Sequence, residues 1–180
     1  MENREYFRVK DVIPVVARKV HQEEEPGIRS TVIPGSSIYQ NAATVSFDDG
    51  EANIDSRVLN ILAEMNTKLN LILEKSTIES EGFNKAANKK VDLSEGGIRF
   101  NVNQKYEVGD LIEVKLLLSR LPLIGLIVYG RVSRVSKIGQ EEYEIGVVFL
   151  DIEDDVKEML WRYILDRQRA TLRKQVDKDS

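Results

Sequence analysis

Apolar residues along this chain fall into several short strand-like runs and two longer helical ones. The first run holds Val12, Ile13, Val15, Val16, Ala17 and Val20, which predicts a strand over about 11–20. Further runs predict strands over about 96–102, 111–118, 126–136 and 142–150. Turn residues separate them: Val108-Gly109-Asp110, Pro122, and Lys137-Ile138-Gly139. Several short strands at this spacing predict an antiparallel barrel. Residues 22–47 have a different texture, with Glu23-Glu24-Glu25, Pro26-Gly27 and Pro34-Gly35-Ser36-Ser37. They read as loop with one short strand around Arg29–Ile33, too long to be a plain connection within a compact domain.

The two helical runs differ in kind. Residues 48–80 predict a helix capped by Asp48 with Glu51 and stopped before Gly82. It carries two apolar stripes. Leu59, Leu62, Leu69 and Leu73 form one, with Asn66 in the missing core position. Val58, Ile61, Met65 and Ile72 form the other, broken by Lys68. One stripe suits one partner; two adjacent seams suit a bundle of like helices, and a polar residue in a seam can specify register. A helix folded onto its own barrel is the other reading of the same pattern. The last run, about 153–174, shows one apolar face: Val156, Met159, Leu160, Tyr163 and Ile164. Asp154 and Asp155 match its N-terminal dipole; Arg167, Arg169, Arg173 and Lys174 match its C-terminal end as solvated charge, with a binding patch the other reading. Trp161 and Tyr163 read as packing residues.

Composition narrows the functions available. The chain has 180 residues and a formal net charge of −4, which argues against a general nucleic-acid binder. Any anionic ligand needs a local basic cluster. With no cysteine, thiolate chemistry is excluded, and the one histidine, His21, beside acidic loop residues, rules out most imidazole-rich metal sites. No apolar run is long enough to cross a membrane, and Met1 to Arg8 is polar and charged rather than a signal peptide. The expectation is a soluble, cytoplasmic protein.

Two short motifs carry the candidate chemistry. The stretch Val91-Asp92-Leu93-Ser94-Glu95-Gly96-Gly97-Ile98-Arg99-Phe100 sets Asp92, Ser94 and Gly97 at i, i+2 and i+5, in what reads as a turn before a strand. Near the N-terminus, Arg4-Glu5-Tyr6-Phe7-Arg8 places two arginines four apart, in an arm leading into the first strand. A guanidinium fork pairs bidentately with phosphate or with guanine O6 and N7. A carboxylate accepts from guanine N–H groups, and a serine hydroxyl can donate or accept. Glycine lets a ligand approach the backbone or adopts positive φ.

An arginine pair, a strand, then Asp-x-Ser-x-x-Gly before another strand resembles the PilZ domain, a small bacterial β-barrel that binds cyclic di-GMP. Tyr106-Glu107-Val108-Gly109-Asp110, Gly130-Arg131-Val132-Ser133-Arg134-Val135 and Tyr143-Glu144-Ile145-Gly146-Val147-Val148-Phe149 resemble its later turn and strands. The likeness covers about 1–20 and 88–174. The long apolar helix between them is similar to an atypical, oligomer-forming branch of the family. The resemblance implies a mainly β fold with helices: one domain, with an antiparallel barrel from 1–21 and 88–150, an inserted loop and coiled-coil-type helix over 22–87, and a closing helix over 153–174. It implies Arg4, Arg8, Asp92, Ser94 and Gly97 as ligand-binding residues, no cofactor, and no enzymatic activity. It implies signalling by protein contact with a downstream partner, and a homo-oligomer, tetramer before dimer, held through Val58, Leu59, Ile61, Leu62, Met65, Asn66, Leu69, Ile72 and Leu73. Many family members carry a further arginine where Asn3 stands, which implies one ligand per subunit here. The alternative is a structural oligomerisation protein on the same barrel without nucleotide. A hydrolase has no support, since no carboxylate cluster, metal set or nucleophile–base pair stands out.

Overall fold

The structure, a computed structural model, describes residues 7–21, 27–34, 56–120 and 123–176. The strands are β1 (Arg8–Lys19), β2 (Thr31–Pro34), β3 (Ala87–Ser94), β4 (Gly97–Val102), β5 (Leu111–Arg120), β6 (Leu123–Lys137) and β7 (Tyr143–Phe149). The helices are α1 (Ser56–Ser80), a single 3-10 turn (Phe83–Lys85) and α2 (Asp154–Val176). All strand pairs are antiparallel, in the order β6-β5-β1-β3-β4-β7, and β7 returns to β6 to close a six-stranded barrel. β5 takes one edge of β6, so β2 and β7 share the other: β2 pairs near its start, at Ile124–Ile127, and β7 from Gly130 onward. At Ser133 the β6–β7 register slips by a residue, and such a bulge sharpens the bend a closing strand needs.

The expected barrel with two helices is what the chain forms. The first strand starts earlier than the apolar pattern suggests, at Arg8, because Arg8 and Lys10 are polar residues on its outer face. β3 is a strand that the pattern hides. Asn88, Lys89 and Lys90 disguise its first half, yet β1 pairs with it from Ala87 to Ser94. Arg4 and the Asp48–Glu51 cap lie outside the described residues.

The core is made by the inner rows of the barrel and one face of α2. Ile13, Leu93, Phe100, Ile112, Leu116 and Ile145 are at most 2% exposed, as are Val156, Leu160 and Ile164 of α2. Each such side chain contributes about 1.5–3 kcal/mol on burial, so barrel and α2 carry their own stability. α1 contributes nothing to this core. Its last turn seats Ile78 beside Phe83, Leu117 and Ile127 on the outside of the barrel. Phe83 fits there because residue 125 is glycine: a Cβ would lie 2.7 Å from the ring. Gly82 ends α1 at φ 75°, as its position predicts, and Lys115 Nζ donates to the Glu81 carbonyl at 2.6 Å.

Candidate functional site

Alternation along β3 turns Val91 and Leu93 inward and Asp92 outward. The strand registers then assemble a patch on the outer wall. Lys10 of β1 and Arg99 of β4 flank Asp92, while Arg8 stands opposite Ser94. Arg99 Nη2 donates to Asp92 Oδ2 at 2.6 Å, and Arg99 Nη1 lies 3.7 Å from Glu144 Oε1. Arg8 Nη1 lies 3.9 Å from Asp92 Oδ1, too far for a hydrogen bond. Asp92 Oδ1 is buried and accepts no hydrogen bond among the described residues. An unsatisfied buried acceptor costs roughly 1–3 kcal/mol, so a donor reaching this oxygen would be stabilising.

Beside it runs an open cleft of about 460 Å³, with Lys10, Lys90, Asp92, Arg99, Asn101 and Glu144 on its walls and Val12 at one side. Val12 is 55% exposed, an apolar surface beside the charged residues of the wall. The cleft carries three cations, Lys10, Lys90 and Arg99, and three carboxylates, Asp11, Asp92 and Glu144, so its charge is mixed, and Arg99 is paired with Asp92 and Glu144.

The expected site residues separate into two groups. Arg8 and Asp92 come within 3.9 Å of each other, with Asp92 on the cleft wall; Arg4 is outside the described residues. Asp92 and Ser94 lie in β3 itself, and the turn is Glu95-Gly96. Ser94 is buried and its Oγ donates to the Gly97 carbonyl at 3.1 Å. A Cβ on Gly97 would sit 2.3 Å from the Val147 carbonyl. Gly97 is thus required by the close approach of β7, not by positive φ.

Helix α2 reaches the same wall from the other end. Tyr163 Oη donates to Asp11 Oδ2, and Arg167 Nε pairs with the same oxygen at 2.7 Å. The Arg167 guanidinium also lies 5.2 Å from the centre of the Tyr163 ring, and Gln168 Nε2 reaches the Arg8 carbonyl at 3.5 Å. Burial, reinforced by the hydrogen bond to Asp11, raises the Tyr163 phenol above its ordinary pKa. Arg167 is therefore ion-paired while still half exposed, because β1 presents Asp11 to it. Trp161 is half exposed, unlike the packing residue its type suggests. Lys10, Lys90, Arg99 and Glu144 escaped the sequence reading. The signal for Arg99 was available: two residues past Gly97, a two-residue turn sets it opposite Asp92.

A family model described as the PilZ domain matches residues 77–166, half of the chain. No curated protein sequence matches. Among solved structures, the chain is similar to a tetrameric PilZ domain protein of Xanthomonas campestris, described as self-assembled through an unusual helical bundle. The two are 16% identical with a TM-score of 0.59, over 94% of this chain and 91% of that one. It is similar to the inhibitor of motility MotI/DgrA of Bacillus subtilis at 11% identity and TM-score 0.50, over 94% of this chain and 53% of that one. Escherichia coli YcgR in complex with c-di-GMP aligns at 17% identity and TM-score 0.43, over 53% of this chain and 41% of that one.

Proposed function

The chain belongs to the PilZ domain family, and on that premise we propose that it is a cyclic di-GMP receptor, not an enzyme, which signals by protein contact and self-associates through α1. One observation carries the ligand reading: the buried Asp92 Oδ1, which accepts no hydrogen bond among the described residues, lies beside Arg8 and next to a cleft of mixed charge. A guanine edge offers the N–H donor this oxygen lacks, and Arg8 offers a fork for phosphate or for O6 and N7. The cleft of about 460 Å³ lies within the roughly 300–1,000 Å³ usual for small ligands. Arg4 belongs to the same proposal through the sequence motif. Ser94 and Gly97 support the site by holding the β3–β4 turn and the β4–β7 seam.

Self-association is supported by exposure. The eight apolar residues of the two α1 stripes are 42–63% exposed, so the barrel does not cover the seams. The tetrameric helical bundle of the Xanthomonas protein is a precedent for a bundle on this fold. A second reading, an oligomerisation protein that binds no nucleotide, is favoured by Ser94 and Gly97 being engaged within the barrel.

Equilibrium binding of fluorescent cyclic di-GMP separates the two. Arg8→Ala and Asp92→Ala should each weaken binding at least tenfold, since a charge-assisted hydrogen bond contributes roughly 1.5–3 kcal/mol. Equal affinity of wild type and both variants would remove this site from the receptor reading.

A further inference from the structure

Resting on the receptor reading, we infer that Arg99 is a positioning residue of the ligand site: it fixes the Asp92 carboxylate so that Oδ1 alone faces the ligand. The β3–β4 register places Arg99 directly opposite Asp92. Its Nη2 occupies Oδ2 at 2.6 Å, while Glu144 at 3.7 Å from Nη1 limits the swing of the guanidinium plane. The carboxylate is thereby split. Oδ2 is taken, and Oδ1 is held 3.9 Å from Arg8, close enough for attraction and too far for a hydrogen bond. Without Arg99, the carboxylate is free to turn and close the gap to Arg8. Both groups would then be spent on each other.

The arrangement bears on base choice. An ionised carboxylate only accepts, so it suits the N1–H and N2–H₂ donors of guanine and opposes the N1 lone pair of adenine. That discrimination lasts only while the carboxylate keeps its orientation. Arg99 thus sets guanine preference without touching the base. Lysine cannot copy it fully, because a point charge pairs one oxygen without the fixed plane of the fork.

The test is a double-substitution cycle read by calorimetry with cyclic di-GMP and cyclic di-AMP. Arg99→Met should weaken cyclic di-GMP binding about tenfold and narrow its preference over cyclic di-AMP, and Arg99→Lys should recover part of both. Asp92→Asn combined with Arg99→Met should be no weaker than Asp92→Asn alone, because Arg99 acts through Asp92. Unchanged binding in Arg99→Met, or losses that add, would overturn the inference. Wild type that binds neither nucleotide would sink the receptor reading instead. An arm without ligand then still decides on Arg99: carboxyl-carbon relaxation should show the Asp92 side chain rigid in wild type and mobile in Arg99→Lys and Arg99→Met. Equal order in all three would contradict the clamp.

Discussion

Replacing Leu62 and Leu69 with glutamate should dissociate the assembly and leave the barrel intact. The two leucines are 52% and 56% exposed in the single chain, so about half of each side chain remains to be covered. Full burial of a leucine contributes about 1.5–3 kcal/mol, so closing the bundle gains roughly 1 kcal/mol at each position. Glutamate removes that gain, about 2 kcal/mol per helix. It also places two carboxylates in a seam where each needs a partner or costs a few kcal/mol more. A total loss of at least about 4 kcal/mol raises the dissociation constant by about a thousandfold. Among the described residues, the barrel core has no member from α1, whose Ile78 packs only in the small outer cluster with Phe83, Leu117 and Ile127. Thermal unfolding of the barrel, and cyclic di-GMP binding, should therefore be preserved. Multi-angle light scattering at tens of micromolar should give wild type about four times the subunit mass of 20.5 kDa, and the doubly substituted protein a single subunit mass. Wild type at the subunit mass would show that the helix seams do not associate, as would a substituted protein that keeps the wild-type mass.

Other consequences can be checked separately. Gly97→Ala puts a Cβ 2.3 Å from the Val147 carbonyl, so β4 and β7 must part. Overpacking of this kind costs about 1–3 kcal/mol, which should lower the melting temperature by roughly 3–10 °C; an unchanged melt would show that the seam yields freely. Glu113 is pushed up by burial, but hydrogen bonds from Arg18 and Tyr129 and the charge of Lys115 outweigh this and hold it below its ordinary value of 4.5. Its folded pKa being depressed, the stabilisation is complete above the ordinary value and is lost as pH falls through the folded one. Glu113→Gln should thus be less stable than wild type at neutral pH, with the gap in denaturation midpoints narrowing in acid. A gap independent of pH would assign the cost to packing instead.

The barrel and both helices were legible because their apolar rows are regular. β4, β5, β6 and β7 alternate or run apolar between clear turn residues, and α2 has a single buried face. β3 was not legible, since its outer edge carries lysines and its inner row has only Val91 and Leu93 as strong apolar signals. Its strand character comes from pairing with β1 and β4, a long-range fact that local pattern does not hold. The site divides along the same line. Asp92 and Arg8 were found through the motif, and the registers bring them within 3.9 Å. Arg99 and Glu144 lie on neighbouring strands and needed the hairpin register to be joined to Asp92. Asp11 with Tyr163 and Arg167 spans strand β1 and helix α2, and nothing in the spacing of either element announces it.

The most direct measurement is a calorimetric titration of the wild-type chain with cyclic di-GMP, repeated on Asp92→Ala. Saturable binding of one molecule per subunit, lost or weakened at least tenfold in the variant, is the predicted result. No heat of binding from wild type at high micromolar ligand would contradict the account.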